Sequence, residues 1–225
     1  LYPFLTAREN LLIFARLMKV KRRDARVRAD AFLARAGLAD RANSRLSTLS
    51  GGMKRRINIG AALMHCPRLL VLDEPTVGVD LHAREAVHDL LLELRDDGIA
   101  ILLTTHDMDQ AGTLSDRLGI IHRGAVIAEG KPADLIGQVF HGGKEIVITL
   151  GADPDPRQTD LLAASGLRPM RGNQVWSGAV PGSFDAAGPL VQQLAAAGIA
   201  VKSLNVQEPS LGSVFFHLVG REFDA

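Results

Sequence analysis

Leu49-Ser50-Gly51-Gly52-Met53-Lys54-Arg55-Arg56, then Leu69-Leu70-Val71-Leu72-Asp73-Glu74-Pro75-Thr76, then Gly78-Val79-Asp80: how this stretch is read decides the fold. Leu69 to Leu72 is apolar at every position. A short continuous apolar run suits a strand buried on both faces of a parallel sheet. Ligands of such sheets sit beyond the carboxyl ends of the strands, where Asp73 and Glu74 fall. Two adjacent carboxylates there can divide labour, one holding a hydrated Mg²⁺ and the other taking a proton from water. Pro75, with no N–H to donate, ends the strand. Ser50 is a good N-cap, and Gly51 and Gly52 let a ligand approach the backbone. The first N–H groups of the helix they open have no internal partner. Together with the helix dipole they form an anion site suited to phosphate.

In this order the residues resemble the ATPase subunits of ATP-binding cassette (ABC) transporters. Leu49-Ser50-Gly51-Gly52 is similar to the signature motif, and Leu70 to Glu74 to the Walker B strand with its catalytic glutamate. Gly78-Val79-Asp80 resembles the D-loop. His106, after Leu102-Leu103-Thr104-Thr105, resembles the switch histidine. Each motif alone is weak. Ser-Gly-Gly is an ordinary turn, Asp-Glu a solvated strand end, and a lone histidine more often structural. Four in the family's order and spacing are specific together. Met53, where glutamine is commoner, also occurs in the drug- and antibiotic-export branch.

The resemblance implies a head-to-tail dimer, with each ATP between the Walker A of one subunit and the signature of the other. Ser50, Gly51 and Gly52 would then serve the partner's nucleotide, with Asp80 in the D-loop of the same nucleotide-binding set. Asp73 would hold Mg²⁺ through water, Glu74 would be the general base, and His106 would contact the γ-phosphate. The implied partners are transmembrane permease subunits and a second ATP-binding subunit, as a homodimer, and not nucleic acid. The implied place is the cytoplasmic face of the cell membrane, held peripherally. The function is to energise a bacterial exporter of a drug, antibiotic or lipid-like substrate. Two other functions compete: a soluble ABC-family protein, and a non-enzymatic remnant that supplies only a signature half-site.

A phosphate-binding loop, G-x-x-x-x-G-K-[ST], is absent from the sequence. Gly143-Lys144 fails because Gln138 and Glu145 stand where glycine and a hydroxyl are needed, and Gly124 to Gly130-Lys131 has one residue too many. The chain opens at Leu1 in what reads as a loop. The expectation is a fragment whose Walker A and Q-loop lie upstream, unable to cradle ATP alone, with an unpaired apolar strand edge along Ile101 to Thr104.

Composition agrees with a globular chain: 225 residues, 47% hydrophobic and 23% charged. A net charge of +1 gives no global field toward nucleic acid. One cysteine, Cys66, excludes an intramolecular disulfide. Its place on an apolar helix predicts burial. No apolar run approaches the roughly 20 residues that span a bilayer. Lys19, Lys21, Arg22, Arg23, Arg26 and Arg28 form a basic cluster, read first as a solvated helix face and second as attraction to anionic lipid.

The expected fold class is α/β, a partial P-loop NTPase core of the ABC-cassette type with a small α+β C-terminal domain. Residues 1–138 form the cassette part, with a helical subdomain over about 6–66 and a core over 67–138 that runs from Walker B to the histidine. Thr6-Ala7-Arg8-Glu9 is a capping box, a second helix buries Phe32 and Leu33, and the signature helix runs to about Cys66. Asp80 caps a helix striped by Val87, Leu90, Leu91 and Leu94. Ile99 to Thr104, Leu118 to His122 and Ala125 to Glu129 are strands, and the alternation implies a parallel core. Residues 144–225 come after a boundary at Gly137 to Gly143. Their order β-α-β-β-α-β is ferredoxin-like, with a helix over Phe184 to Ala197 and a tail helix from Leu211 ending near Gly220-Arg221-Glu222. Trp176 is expected to pack in the core or hairpin.

Overall fold

Thr6 opens the first helix as a capping box: Glu9 N donates to its Oγ1 at 3.2 Å, and Thr6 N donates to Glu9 Oε2 at 2.8 Å. This helix, α1 (Ala7–Leu17), buries Ala7, Leu11 and Ala15. Helix α2 (Arg22–Arg35) buries Ala25, Ala29, Phe32 and Leu33. Arg28 of the basic cluster is drawn inward, donating to Met64 O at 2.8 Å. Helices α3 (Gly51–Leu63) and α4 (Leu81–Asp96) complete the helical part, and α3 packs on both α1 and α4. The α4 stripe of Val87, Leu90, Leu91 and Leu94 is buried throughout. Burial of each such side chain is worth about 1.5–3 kcal/mol. The computed structural model describes residues 1–180 and 187–219. The chain divides into two units, Leu1–His106 and Asp107–Ala225.

In the first unit, β1 (Leu69–Asp73) and β2 (Ala100–Thr104) pair in parallel, from Leu69 opposite Ala100 to Asp73 opposite Thr104. The expectation that β1 is buried on both faces is corrected: Leu70 and Leu72 are buried, but Leu69 and Val71 are 53% and 62% exposed, as is Leu102 at 58%. An apolar run specifies a strand with two apolar faces; it does not supply the layer that covers the second. Among the described residues β2 pairs with β1 alone, so the edge along Ile101 to Thr104 is unpaired as expected.

Cys66 is also corrected. Helix α3 stops at Leu63, and Cys66 takes a left-handed φ of 54° and is exposed. Pro67 disfavours helical conformation at the residue before it, so the helix cannot carry Cys66 inward.

In the second unit, α5 (Met108–Leu114) is capped by Asp107, whose side chain accepts from Asp109 N and Gln110 N. Strands β3 (Leu118–His122) and β4 (Ala125–Gly130) are antiparallel. They are a hairpin, and not part of a parallel sheet as the alternation implied. The two-residue turn Arg123-Gly124 has φ of 49° and 77°. Positive φ at both central residues matches the right-handed twist of paired antiparallel strands.

After α6 (Pro132–Phe140) come β5 (Lys144–Leu150), α7 (Pro156–Ala164), β6 (Arg168–Arg171), β7 (Val175–Val180), α8 (Ala187–Ala196) and β8 (Val201–Gln207). Their sheet runs in the order β6-β7-β5-β8 with antiparallel pairs throughout. That is the ferredoxin-like arrangement. Positions 184–186 of the expected Phe184 helix and all of Gly220-Arg221-Glu222 lie outside the described residues. Trp176 is 1% exposed among Ile146, Ile148 and Leu162, and its Nε1 donates to Asn173 O at 2.7 Å.

The division into compact units falls after His106. The cause is the last helix, α9 (Leu211–Val219), which returns to pack on α5 and α6. Leu211 and Val214 share a core with Ile120, Leu135 and Phe140. The same helix meets the sheet through Glu145, a fully buried carboxylate. It accepts from Ser177 Oγ at 2.7 Å, Gln207 Nε2 at 2.9 Å and Ser213 Oγ at 2.6 Å. Hydrogen bonds to a charged group are strong, and donors left unpartnered in a core are costly.

This packing has two measurable consequences. Glu145→Ala should cost the second unit about 3 kcal/mol in denaturant unfolding and leave the first unit unchanged. His217, half-buried beside Phe140, has its pKa held below the usual 6.5 by burial and then by Arg168, with Glu145 opposing. The unfolded chain therefore binds a proton first. The second unit should keep full stability above that value and lose it as pH falls below, a slope that His217→Phe should flatten.

Candidate functional site

Strand register builds the centre of the site. Because Asp73 lies opposite Thr104, the chain leaves both strands at one edge of the sheet. Thr104 Oγ1 donates to Asp73 Oδ1, and Glu74 N extends the ladder by donating to Thr104 O at 3.1 Å. Two residues past the end of β2, His106 Nδ1 lies 2.8 Å from Glu74 Oε1. The histidine side chain is 77% exposed and the glutamate 34%. Glu74 Oε2 is buried and has no hydrogen-bond partner. It is an acceptor with unused capacity on a carboxylate whose other oxygen is already oriented.

The backbone at this place is strained. Glu74 has φ of 45°, in the left-handed region. For a residue with a side chain that conformation costs about 1–2 kcal/mol, and such strain persists only where surroundings hold it. Arg55, on α3, is the holder. Its Nε donates to Pro75 O at 2.7 Å, and its Nη2 donates to Asp73 O and Glu74 O, each at 2.8 Å. The neighbouring Arg56 does something else: Nη1 donates to Ala36 O at 2.5 Å, and burial holds its guanidinium below its usual pKa.

The helix start is the other half. Ser50 is exposed, and its Oγ accepts from Met53 N at 3.3 Å, so it caps α3 as expected. Gly51 is exposed beside it. Gly52 is not: it is buried, and a Cβ there would lie 2.3 Å from Ala83 Cβ and 3.3 Å from Val79 Cγ1. Gly52 therefore brings α3 against the turn before α4, where the sequence suggested a ligand contact. Asp80 is exposed and caps α4, its Oδ1 accepting from Ala83 N at 3.0 Å.

The structure thus brings Asp73, Glu74 and His106 together. It places Ser50 and Gly51 at an open helix start, and Gly52 and Asp80 at the α3–α4 junction. Sequence reasoning missed Arg55 and Thr104. Thr104 could have been found from the strand register opposite Asp73. Arg55 carries no such signal inside Lys54-Arg55-Arg56. Among the described residues no three His, Cys, Asp or Glu side chains are placed to hold a metal ion as a group. Asp73 is exposed, and a single carboxylate suits only an ion that keeps most of its waters.

The family model described as ABC transporter matches residues 1–77. The linearmycin resistance ATP-binding protein LnrL of Bacillus subtilis is 38% identical over 98% of this chain and 72% of its own length. The Nod factor export ATP-binding protein I of Rhizobium etli is 44% identical over 68% of this chain and 48% of its own. Among solved structures, a dimeric ATP-binding cassette in a post-hydrolysis state bound to ADP and Pi is 32% identical with a TM-score of 0.51, covering 58% of each chain. The cbiO1 protein of Clostridium perfringens, part of the ABC transporter complex cbiONQ, is 30% identical with a TM-score of 0.55, covering 60% of this chain and 54% of its own. The chain spans little more than half the length of these solved chains.

The two signature glycines should respond differently to one methyl group. Gly52→Ala should lower thermal stability by about 1–3 kcal/mol through overpacking, although alanine favours a helix. Gly51→Ala, whose Cβ would meet nothing nearer than 3.8 Å, should be close to neutral. Equal effects at both positions would contradict the packing role of Gly52.

Proposed function

We propose that this chain, which belongs to the ABC transporter ATP-binding family, is the ATP-binding and ATP-hydrolysing subunit of a bacterial exporter. The observation that carries this is the 2.8 Å contact between His106 and Glu74 at the shared edge of two parallel strands, with the Ser50 helix start left open. Glu74 is the general base: its carboxylate takes the proton of the attacking water. His106 orients that carboxylate and reaches the γ-phosphate. Asp73 would hold Mg²⁺ through water, an ion that supplies charge neutralisation to the phosphates when bound.

Ser50, Gly51 and the first N–H groups of α3 serve the nucleotide of a second copy, where the helix start stabilises phosphate charge. Gly52 supports that helix from behind. Asp80, in the turn between the two half-sites, belongs to the same nucleotide-binding set. The working unit is a homodimer attached to transmembrane permease subunits at the cytoplasmic face of the membrane. No helix among the described residues is long and apolar enough to cross a membrane, which fits attachment through such partners. The exported substrate falls in the range of drugs, antibiotics and lipid-like molecules. Linearmycin resistance and Nod factor export, the functions for which two relatives are named, support that range.

Replacing Glu74 by glutamine in the full-length protein with its permease should lower ATP turnover at least about a hundredfold. ATP should remain bound in a closed dimer, as filter binding and sedimentation would report. Hydrolysis at the unaltered rate would remove Glu74 from this role.

A further inference from the structure

We propose that Arg55 is a positioning residue that ties the signature helix to the catalytic carboxylate of the same chain, so that the helix serving one nucleotide sets the geometry at the other. The proposal deepens the ATPase function above and rests on it for its kinetic consequence. The clamp itself stands on distances alone.

Three consecutive carbonyls, of Asp73, Glu74 and Pro75, converge on one guanidinium at 2.7–2.8 Å. Three carbonyls in a row do not converge in an extended strand, because successive ones point to opposite sides. They converge here because the chain reverses at Glu74 with φ of 45°. A guanidinium suits such a cluster: it is planar, always charged, and carries its donors in a rigid fork. Arg55 thus fixes the backbone on both sides of Glu74, and with it the position of the carboxylate that meets His106.

Arg55 lies five residues after Ser50, about 7.5 Å along one rigid helix. Ser50 and Gly51 face outward at the start of α3. Any tilt or advance of α3 toward a phosphate at Ser50 moves the Arg55 fork, and the fork moves the Glu74 turn. Gly52 supplies a second link in the same direction, since α3 rests there on Val79 and Ala83. Occupation of the signature half-site is thereby transmitted to the hydrolytic half-site of the same chain through one side chain and one turn. Lysine can replace this only in part, because one ammonium does not reproduce a planar fork that uses two nitrogens.

The test compares Arg55→Met, which keeps an unbranched stem and removes the donors, with Arg55→Lys. Amide hydrogen exchange is read at Glu74, whose N–H bonds Thr104 O, and at Val77, whose N–H bonds Glu74 O. In Arg55→Met both should exchange about tenfold faster or more, while Ile57 to Ala61 in α3 and Leu70 to Leu72 in β1 keep their protection. In the full-length protein with its permease, kcat should fall about tenfold or more with KM for ATP changed less than about twofold. Arg55→Lys should lie between in both measurements. Unchanged exchange at Glu74 overturns the clamp, and so does loss of protection spread evenly over α3 and β1, which marks a merely structural residue. A KM rise with kcat intact overturns the coupling. If Glu74→Gln hydrolyses ATP normally, the ATPase function fails on its own, and the exchange result still decides the clamp.

Discussion

Asp73 and Thr104 end two parallel strands side by side, and the rest of the site depends on that register. A parallel pair points both carboxyl ends the same way, so the residues just past each strand are delivered to one edge. Glu74 arrives from one strand and His106 from the other. A shift of one residue in either strand would turn its side chains to the opposite face and separate the pair. Neither the apolar content of the strands nor the identity of the two residues would reveal that loss.

The register alone does not aim the carboxylate. Glu74 sits in a conformation that a side-chain-bearing residue adopts only under constraint, and the constraint comes from a helix that precedes it by about twenty residues. The start of that helix is an open polar cap, its second glycine is pressed against the turn before α4, and its fifth residue after the cap grips the strand end. One helix therefore has three roles along two turns. That economy explains why a residue type can matter at each of these positions for a different reason: hydrogen bonding at Ser50, the absence of a Cβ at Gly52, a planar fork at Arg55.

Much of this was legible in the sequence because it is local. The caps at Thr6, Ser50 and Asp80 are satisfied within three residues of themselves, so their chemistry is written next to their place. The meeting of Glu74 and His106 was legible because a strand end is a position in the fold as well as in the chain. The features that escaped depend on partners far away. Glu145 reads as a charged residue at a strand start, and it is buried because a helix 68 residues later covers it. Arg55 reads as one of three solvated cations, and its carbonyl partners lie 18–20 residues on. Hydropathy marks Leu69 and Val71 for burial, because it reports the surface a residue could bury and not the neighbour that would cover it. The division into compact units after His106 has the same cause: the final helix packs back across α5 and α6, and no local stretch of sequence announces it.

The central claim is that one chain contributes to two different nucleotides, its strand ends to one and its helix start to the other. The most direct measurement combines Ser50→Arg with Glu74→Gln in the full-length protein and follows ATP binding and sedimentation together. The account predicts that ATP stays bound to each chain while the nucleotide-dependent dimer is lost, because the arginine blocks only the face offered to the second copy. A dimer that persists undiminished, or ATP binding that disappears from the isolated chain, would contradict it.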